Sequence, residues 1–304
     1  MSERRHNHGF TLIELSIVLV VIGLIVGGIL VGQSLIAAAQ VRATVTQIEK
    51  YNQAANTFFE KYGFLPGDIP AGPATQFGFI ARGTSPGQGD GNGIMEGIGG
   101  GGTGWGWVEG GGETAAFWVD LSTARLIDGG FSTASPSSLG STDVTGSNLA
   151  LWLPQAKIGN GNYVYVWSTN NSNHGSTNNY PSNYFGISAV SNIANSSNGG
   201  KVTSTPGVTV AQAAAIDTKL DDGLPFSGSV QAVGLSNDPV WSTSRSWGGD
   251  VLNTSFPTGS NLAANSSSCA DNGNNASNTT RYSIEVSNGA NVNCALSFKF
   301  QAGD

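Results

Sequence analysis

Histidine, cysteine and charge are all scarce in this chain of 304 residues, and each scarcity removes a class of function. Two of the three histidines, His6 and His8, lie at the extreme N-terminus, and His174 stands alone among Asn and Ser. Neither a His-based catalytic triad nor a His metal cluster can be assembled from them. Cys269 and Cys294 are the whole cysteine complement, and with no second Cys or His near either in sequence a thiol-metal site or catalytic thiol has no support. Charged residues are only 11% of the chain, and its 13 Lys and Arg are scattered without a basic run, against a formal net charge of -7. Nothing in that pattern tracks a phosphate backbone, so nucleic acid is excluded as a partner. No Gly-rich run follows a strand and opens a helix with Gly-Lys-Ser/Thr, which leaves phosphate cradling unsupported. The reading is not an enzyme.

What is present begins at the N-terminus. A short polar stretch with Arg4 and Arg5 ends at Gly9, and Phe10-Thr11-Leu12-Ile13-Glu14-Leu15-Ser16 follows, leading into an unbroken apolar run over residues 17–32. From Phe10 onward the segment is long enough to cross a bilayer as a helix, with Arg4 and Arg5 held on the cytoplasmic side. Glu14 is the anomaly. A carboxylate among Leu12, Ile13, Leu15 and Ile17 costs roughly 2.5 to 3.5 kcal/mol or more in lipid, which points to a dedicated partner. The alternative is a near-interface Glu that snorkels outward or takes up a proton. An ordinary secretory signal cut near Ala37-Ala38-Ala39 is a second alternative. Against it, apolar positions continue at helical spacing through Leu35, Val41, Val45, Ile48, Ala55, Phe59 and Tyr62, so that a cut there discards half of one helix.

The run from Gly9 to Ser16 resembles the processing site of type IV prepilins and type II secretion pseudopilins. The resemblance implies that a prepilin peptidase cuts between Gly9 and Phe10 and methylates the new amino group of Phe10. It implies also that Glu14 attracts the N-terminal ammonium of a neighbouring subunit, an opposite-charge pair that is strong in low dielectric. The tip-most pseudopilin generally lacks this Glu, so its presence implies a subunit below the tip. Val31 stands where many pilins carry Pro, while Gly23, Gly27, Gly28 and Gly32 supply small-residue spacings that let helices approach closely. The implied fold is α+β and pilin-like: a long N-terminal helix, membrane-spanning in its first half and amphipathic in its second, packed on an antiparallel sheet with long Gly/Ser/Asn-rich loops. Its expected parts are a leader (1–9), an assembly helix (10–62) and a periplasmic or extracellular head (63–304).

Within that head the helix is expected to end at Gly63, because Pro66 and Pro70 forbid continuation. Residues 72–112 are Gly-rich and read as a long surface loop. Inside it, Gln88-Gly89-Asp90-Gly91-Asn92-Gly93-Ile94 resembles part of a calcium loop, with Asp90, Asn92, the carbonyl of Ile94 and Glu96 as oxygen donors; a solvated Gly/Asn turn explains it as well. A second helix is expected over 113–127, with Trp118 in the core, and a third over 210–220. Asp217, Asp221 and Asp222 after it form a further oxygen cluster, which a helix end and turn explain equally. Strands are expected over 163–167, 184–187, 229–233, 281–286 and 295–300, the last alternating so that Leu296, Phe298 and Phe300 face the core while Ser297 and Lys299 face water. In an exported domain Cys269 and Cys294 are a natural pair, and their placement is similar to the C-terminal disulfide region of type IV pilins. Such a bridge would stabilise the domain by roughly 3 kcal/mol in the chain-entropy model. Asn-X-Ser/Thr triplets arise from composition alone.

The expectation is therefore a structural subunit of a type IV pilus or a type II secretion pseudopilus, inserted in the inner membrane as a single-pass precursor and working with other such subunits. The alternative is a minor pilin acting as an adhesin through its large domain and its seven Trp.

Overall fold

A computed structural model describes residues 11–98, 108, 110–138, 142–168, 182–194, 202–233 and 261–302. Two compact units result, Met1–Gln40 and Val41–Asp304. Helix α1, Leu12–Tyr62, contributes to both. Through Ile36 all of its large apolar side chains are exposed, Leu12 and Leu24 most of all at 87% and 73%. The first part is the only segment among the described residues that is long and apolar enough to cross a membrane. Burial starts at Val41 and recurs at Thr44, Ile48, Tyr51, Ala55 and Phe58, the three- and four-residue steps of one helical face.

The second unit is built on an antiparallel sheet organised by one strand. β1 (Val144–Thr145), β2 (Tyr163–Ser168), β3 (Asn183–Ile193) and β4 (Val202–Thr205) precede β5 (Val230–Gln231) and β8 (Leu296–Lys299) in the chain. The first half of β3 pairs with β2 on one side and β8 on the other; its second half pairs with β1 and β4, with a register shift between Val190 and Asn192. β5 extends the sheet beyond β8. β6 (Ala270–Asp271) and β7 (Arg281–Tyr282) form a separate two-stranded ribbon. Every residue of β2 is buried, and its continuous Tyr-Val-Tyr-Val-Trp run is that of a strand covered on both faces.

Aromatic rings join the helices to this sheet. Tyr51 of α1 meets Trp118 of α3 (Glu113–Thr123) edge-on at 4.9 Å between centroids, and Phe185 of β3 lies 4.2 Å from Phe300 and 5.7 Å from Phe117. Polar side chains set the register of α1: Gln47 donates to the carbonyl of Gln155 (2.9 Å) and accepts from the Lys157 N–H (2.8 Å). The disulfide joins Cys269 to Cys294, with Cα atoms 5.1 Å apart, and so ties the ribbon to the approach of β8.

Four expectations are corrected. Residues 72–112 are not simply a surface loop. Helix α2 (Ala71–Phe77) opens the stretch, and Phe79, Met95 and Glu96 are buried, because the glycines let the backbone fold tightly against its neighbours. At Gly91, φ is +78° and a Cβ would stand 2.8 Å from the Pro70 ring, so only glycine fits. α3 stops at Thr123 rather than 127. The strand expected over 281–286 is two residues long and gives way to turns. Ser297 does not face water: it is fully buried, accepts from the Trp167 Nε1–H (3.1 Å) and donates to the Val233 carbonyl (2.9 Å), which satisfies both groups inside the core.

Phe185 is fully buried where α1, α3 and β8 converge. Phe185→Ala is expected to cost about 3 to 5 kcal/mol. The urea midpoint of the detergent-solubilised full chain checks this; a change below about 1 kcal/mol contradicts the packing described.

Candidate functional site

Two arrangements of side chains stand out, one at the start of α1 and one where α3 begins. At the first, Thr11 and Glu14 form a reciprocal cap. Glu14 Oε2 accepts from the Thr11 N–H (2.8 Å) and the Thr11 hydroxyl (2.7 Å), and the Thr11 hydroxyl accepts from the Glu14 N–H (3.3 Å). Thr-x-x-Glu is the capping-box pattern, legible in the sequence but not read from it above. Glu14 therefore has a local role in starting the helix. Its Oε1 accepts from no described residue. Gly9 and Phe10, the expected processing residues, lie outside the described residues.

The second arrangement gathers carboxylates. Asp68, Asp90 and Glu113 each place an oxygen within 4.8 Å of the others. Asp68 comes from the turn after α1, Asp90 from the glycine-rich segment and Glu113 from the first turn of α3. Backbone donors hold them: Gly91 and Gly93 N–H to the two oxygens of Asp68 (2.7 and 2.8 Å), and Gly89 and Glu96 N–H to the two of Glu113 (2.9 and 3.0 Å). Asp90 accepts from the Asn92 N–H at 3.0 Å and from its side-chain amide at 3.1 Å, and that amide also approaches Glu96 at 3.4 Å. Ile94 donates its N–H to Asn92 Oδ1 (2.7 Å). Asp90, Asn92, Ile94 and Glu96 thus share one turn, and folding adds Asp68 and Glu113 to it. Neither was legible as a partner: Asp68 is 22 positions before Asp90 and Glu113 is 23 after it, and only tertiary packing brings them together.

Burial dominates the electrostatics. It pushes the Asp68 carboxyl up to about 7, against the backbone hydrogen bonds of Gly93 and Gly91, and pushes Glu113 well above the carboxylate range with the charge of Asp68 adding to it. No Lys, Arg or His among the described residues pairs with Asp68, Asp90 or Glu113. Nearby, Asp120 is matched instead: Arg82 binds it at 2.5 Å with both side chains fully buried, and the Gly67 N–H adds a second donor at 2.6 Å. The other acidic group, Asp217, Asp221 and Asp222, is held by turn N–H groups and by the Tyr282 hydroxyl on Asp217 (2.8 Å). Among the tryptophans, Trp118 and Trp167 are buried and Trp152 packs against the core, so these rings are structural; Trp105, Trp107, Trp241 and Trp247 lie outside the described residues, as does His174.

An N-terminal helix with an unburied apolar first part and an antiparallel-sheet unit make an α+β architecture, consistent with a pilin-like fold. Residues 4–30 match the family model described as the prokaryotic N-terminal methylation motif, the signature of type IV pilins and pseudopilins. No curated protein and no solved structure matches the chain.

The carboxylates have a pH consequence. Unfolded, Asp68 loses its proton near the ordinary value of 3.8; folded, it holds the proton to about 7. Between those values the native state binds more protons, so stability falls as pH rises, and Asp217, raised to about 6, acts in the same direction. With chelator present, the urea midpoint of the full chain is expected to be higher at pH 5 than at pH 8, and Asp68→Asn to shrink the difference. An opposite trend in the wild-type protein would refute the burial described.

Proposed function

We propose that this protein is a filament-building subunit of a type IV pilus or a type II secretion pseudopilus, positioned below the tip. Prepilin peptidase processes it between Gly9 and Phe10, and it assembles with like subunits through α1. The observation that carries this reading is the methylation motif at residues 4–30 joined to a helix whose apolar side chains are exposed through Ile36. Such a surface must be covered by lipid before assembly and by neighbouring helices after it. The glycines support the second state: around Gly23, Gly27, Gly28 and Gly32 nothing lies within 4 Å of where a Cβ would be, which leaves small-residue notches for another helix. As a single-pass precursor the chain places its second unit in the periplasm, with Arg4 and Arg5 cytoplasmic. An adhesin role through exposed tryptophans draws no support from Trp118 and Trp167, which are buried, or from Trp152, which packs against the core.

Mass spectrometry of the mature N-terminus is expected to show N-methyl-Phe10. Glu14→Ala is expected to lower recovery in sheared filaments by about tenfold or more without shifting the unfolding midpoint of the second unit. Glu14→Ala filaments at wild-type abundance would remove the charge pair from the mechanism.

The same reading includes calcium as a structural ligand of the second unit. The donors are oxygen throughout, which suits a hard cation and not zinc. Asp68, Asp90 and Glu113, with Asn92, Ile94 and Glu96 from the intervening turn, would hold it, and the ion would supply the positive charge that the buried carboxylates otherwise lack. Calcium is expected to raise the melting temperature of the full chain at pH 7.5 and to flatten its pH dependence, and Glu113→Gln to abolish both effects. Coincident melting curves in calcium and in EDTA would discard the ion.

A further inference from the structure

The second unit carries a basic groove on a chain whose formal net charge is -7. The groove encloses about 1090 Å³ beside α1, and Arg42, Lys50, Arg125 and Lys157 line it with Asp128 as its one acid. All four cations are exposed, and none is paired with a carboxylate among the described residues. They come from three places: α1, the turn after α3, and the loop that Gln47 clasps at Lys157. Arg125 is placed at a conformational cost. Its φ is +57°, and it occupies the left-handed position of a helix-ending motif in which Arg125 N–H bonds to the Ser122 carbonyl and Leu126 N–H to the Leu121 carbonyl. Glycine is the unstrained choice there. A cation stands in its place, with its side chain lining the groove.

The complementary surface lies on the other flank of the same helix. A second groove, of about 650 Å³, shares Gln53 and Thr57 with the first and is lined by Glu49 and Glu60 of α1. Lys219 and Lys299 also line it, and so do Ser229 and Val230, whose N–H groups hold Asp221, so that Asp221 and exposed Asp222 stand beside it. Glu49, Glu60, Asp221 and Asp222 are unpaired with any cation among the described residues. The first flank is net positive; on the second, Glu49 and Glu60 balance Lys219 and Lys299 in the lining, and it becomes net negative through Asp221 and Asp222, whose carboxylate oxygens lie within 4.8 Å of each other beside it. The two are different surfaces of one chain.

We propose that the basic groove receives the acidic flank of a second copy of this chain, Glu49 and Glu60 entering opposite Arg42, Lys50, Arg125 and Lys157. Such a contact is heterologous: each copy uses its basic flank on one neighbour and its acidic flank on another, which propagates into an open filament rather than closing a dimer. The charges steer the approach and set the register, while α1 supplies the apolar association. This rests on the filament reading above and adds to it which surfaces meet.

The test is made on the full chain in cells that process it. Arg125→Glu with Lys157→Glu, and separately Glu49→Lys with Glu60→Lys, are each expected to lower sheared-filament yield by about tenfold or more, and the four together to restore at least about a third of it. Processing to N-methyl-Phe10 and the melting temperature should stay unchanged, since none of these side chains accepts or donates a described side-chain hydrogen bond. Arg125→Gly separates assembly from folding: it should raise the melting temperature and lower filament yield. Wild-type yield in either reversal, or no recovery on combining them, overturns the proposal and leaves the filament reading standing. If the wild-type chain makes no filaments, that reading falls, and the groove is decided on membranes by disulfide dimers of copies carrying Lys157→Cys or Glu60→Cys. Dimers containing one copy of each support it. Their absence refutes it.

Discussion

Everything in the second unit depends on one face of one helix. Val41, Ile48, Tyr51, Ala55 and Phe58 are buried, and Tyr51 carries the contact onward to Trp118 and Phe185. A short sheet of this kind, most of whose strands are two to six residues, has little stability of its own; β3 alone is long. Packing α1 and α3 against β2, β3 and β8 supplies the apolar area that the sheet lacks. Gln47 and Asn52 then fix the register by bonding Gln155, Lys157 and Gln301, so the helix cannot slide without leaving buried polar groups unpaired.

The same helix is under the opposite constraint before Val41. There no side chain is buried, and the exposed Leu, Ile and Val surface is stable only in lipid or against other helices. The capping box of Thr11 and Glu14 satisfies donors that a helix start would otherwise leave bare in that environment. A carboxylate is a costly way to cap a helix in lipid. Its second oxygen accepts from no described residue and is the acceptor that the proposed ammonium pairing would use.

Buried charge recurs in the second unit in two versions. Asp120 is answered by Arg82, whereas among the described residues Asp68 and Glu113 are answered only by backbone N–H groups and repel one another. The first version is a closed pair. The second leaves protonation or a cation as the ways to remove the repulsion, and both make stability depend on solution conditions that differ across a membrane.

Much of α1 was legible in the sequence because its signals are local: an apolar run, a helical stripe from Val41 to Tyr62, and a start motif within eight residues. The helix over Val210–Leu220 was legible for the same reason, while its Thr209–Gln212 capping box is added by the structure. The buried Ser297 was not, because alternation assigns a face by parity and only Trp167 on the neighbouring strand makes the polar position a core one. Asp68 and Glu113 were not either; each is unremarkable until glycines at 89, 91 and 93 turn the chain between them. The sequence by itself determined the apolar N-terminal helix and the carboxylate placed within it, since both are set by neighbours within a turn or two. Tertiary structure alone decided which carboxylates meet and how cations scattered from 42 to 157 come to line one groove, because those distances are set by how α1, α3 and the loop before β2 pack and not by their order in the chain.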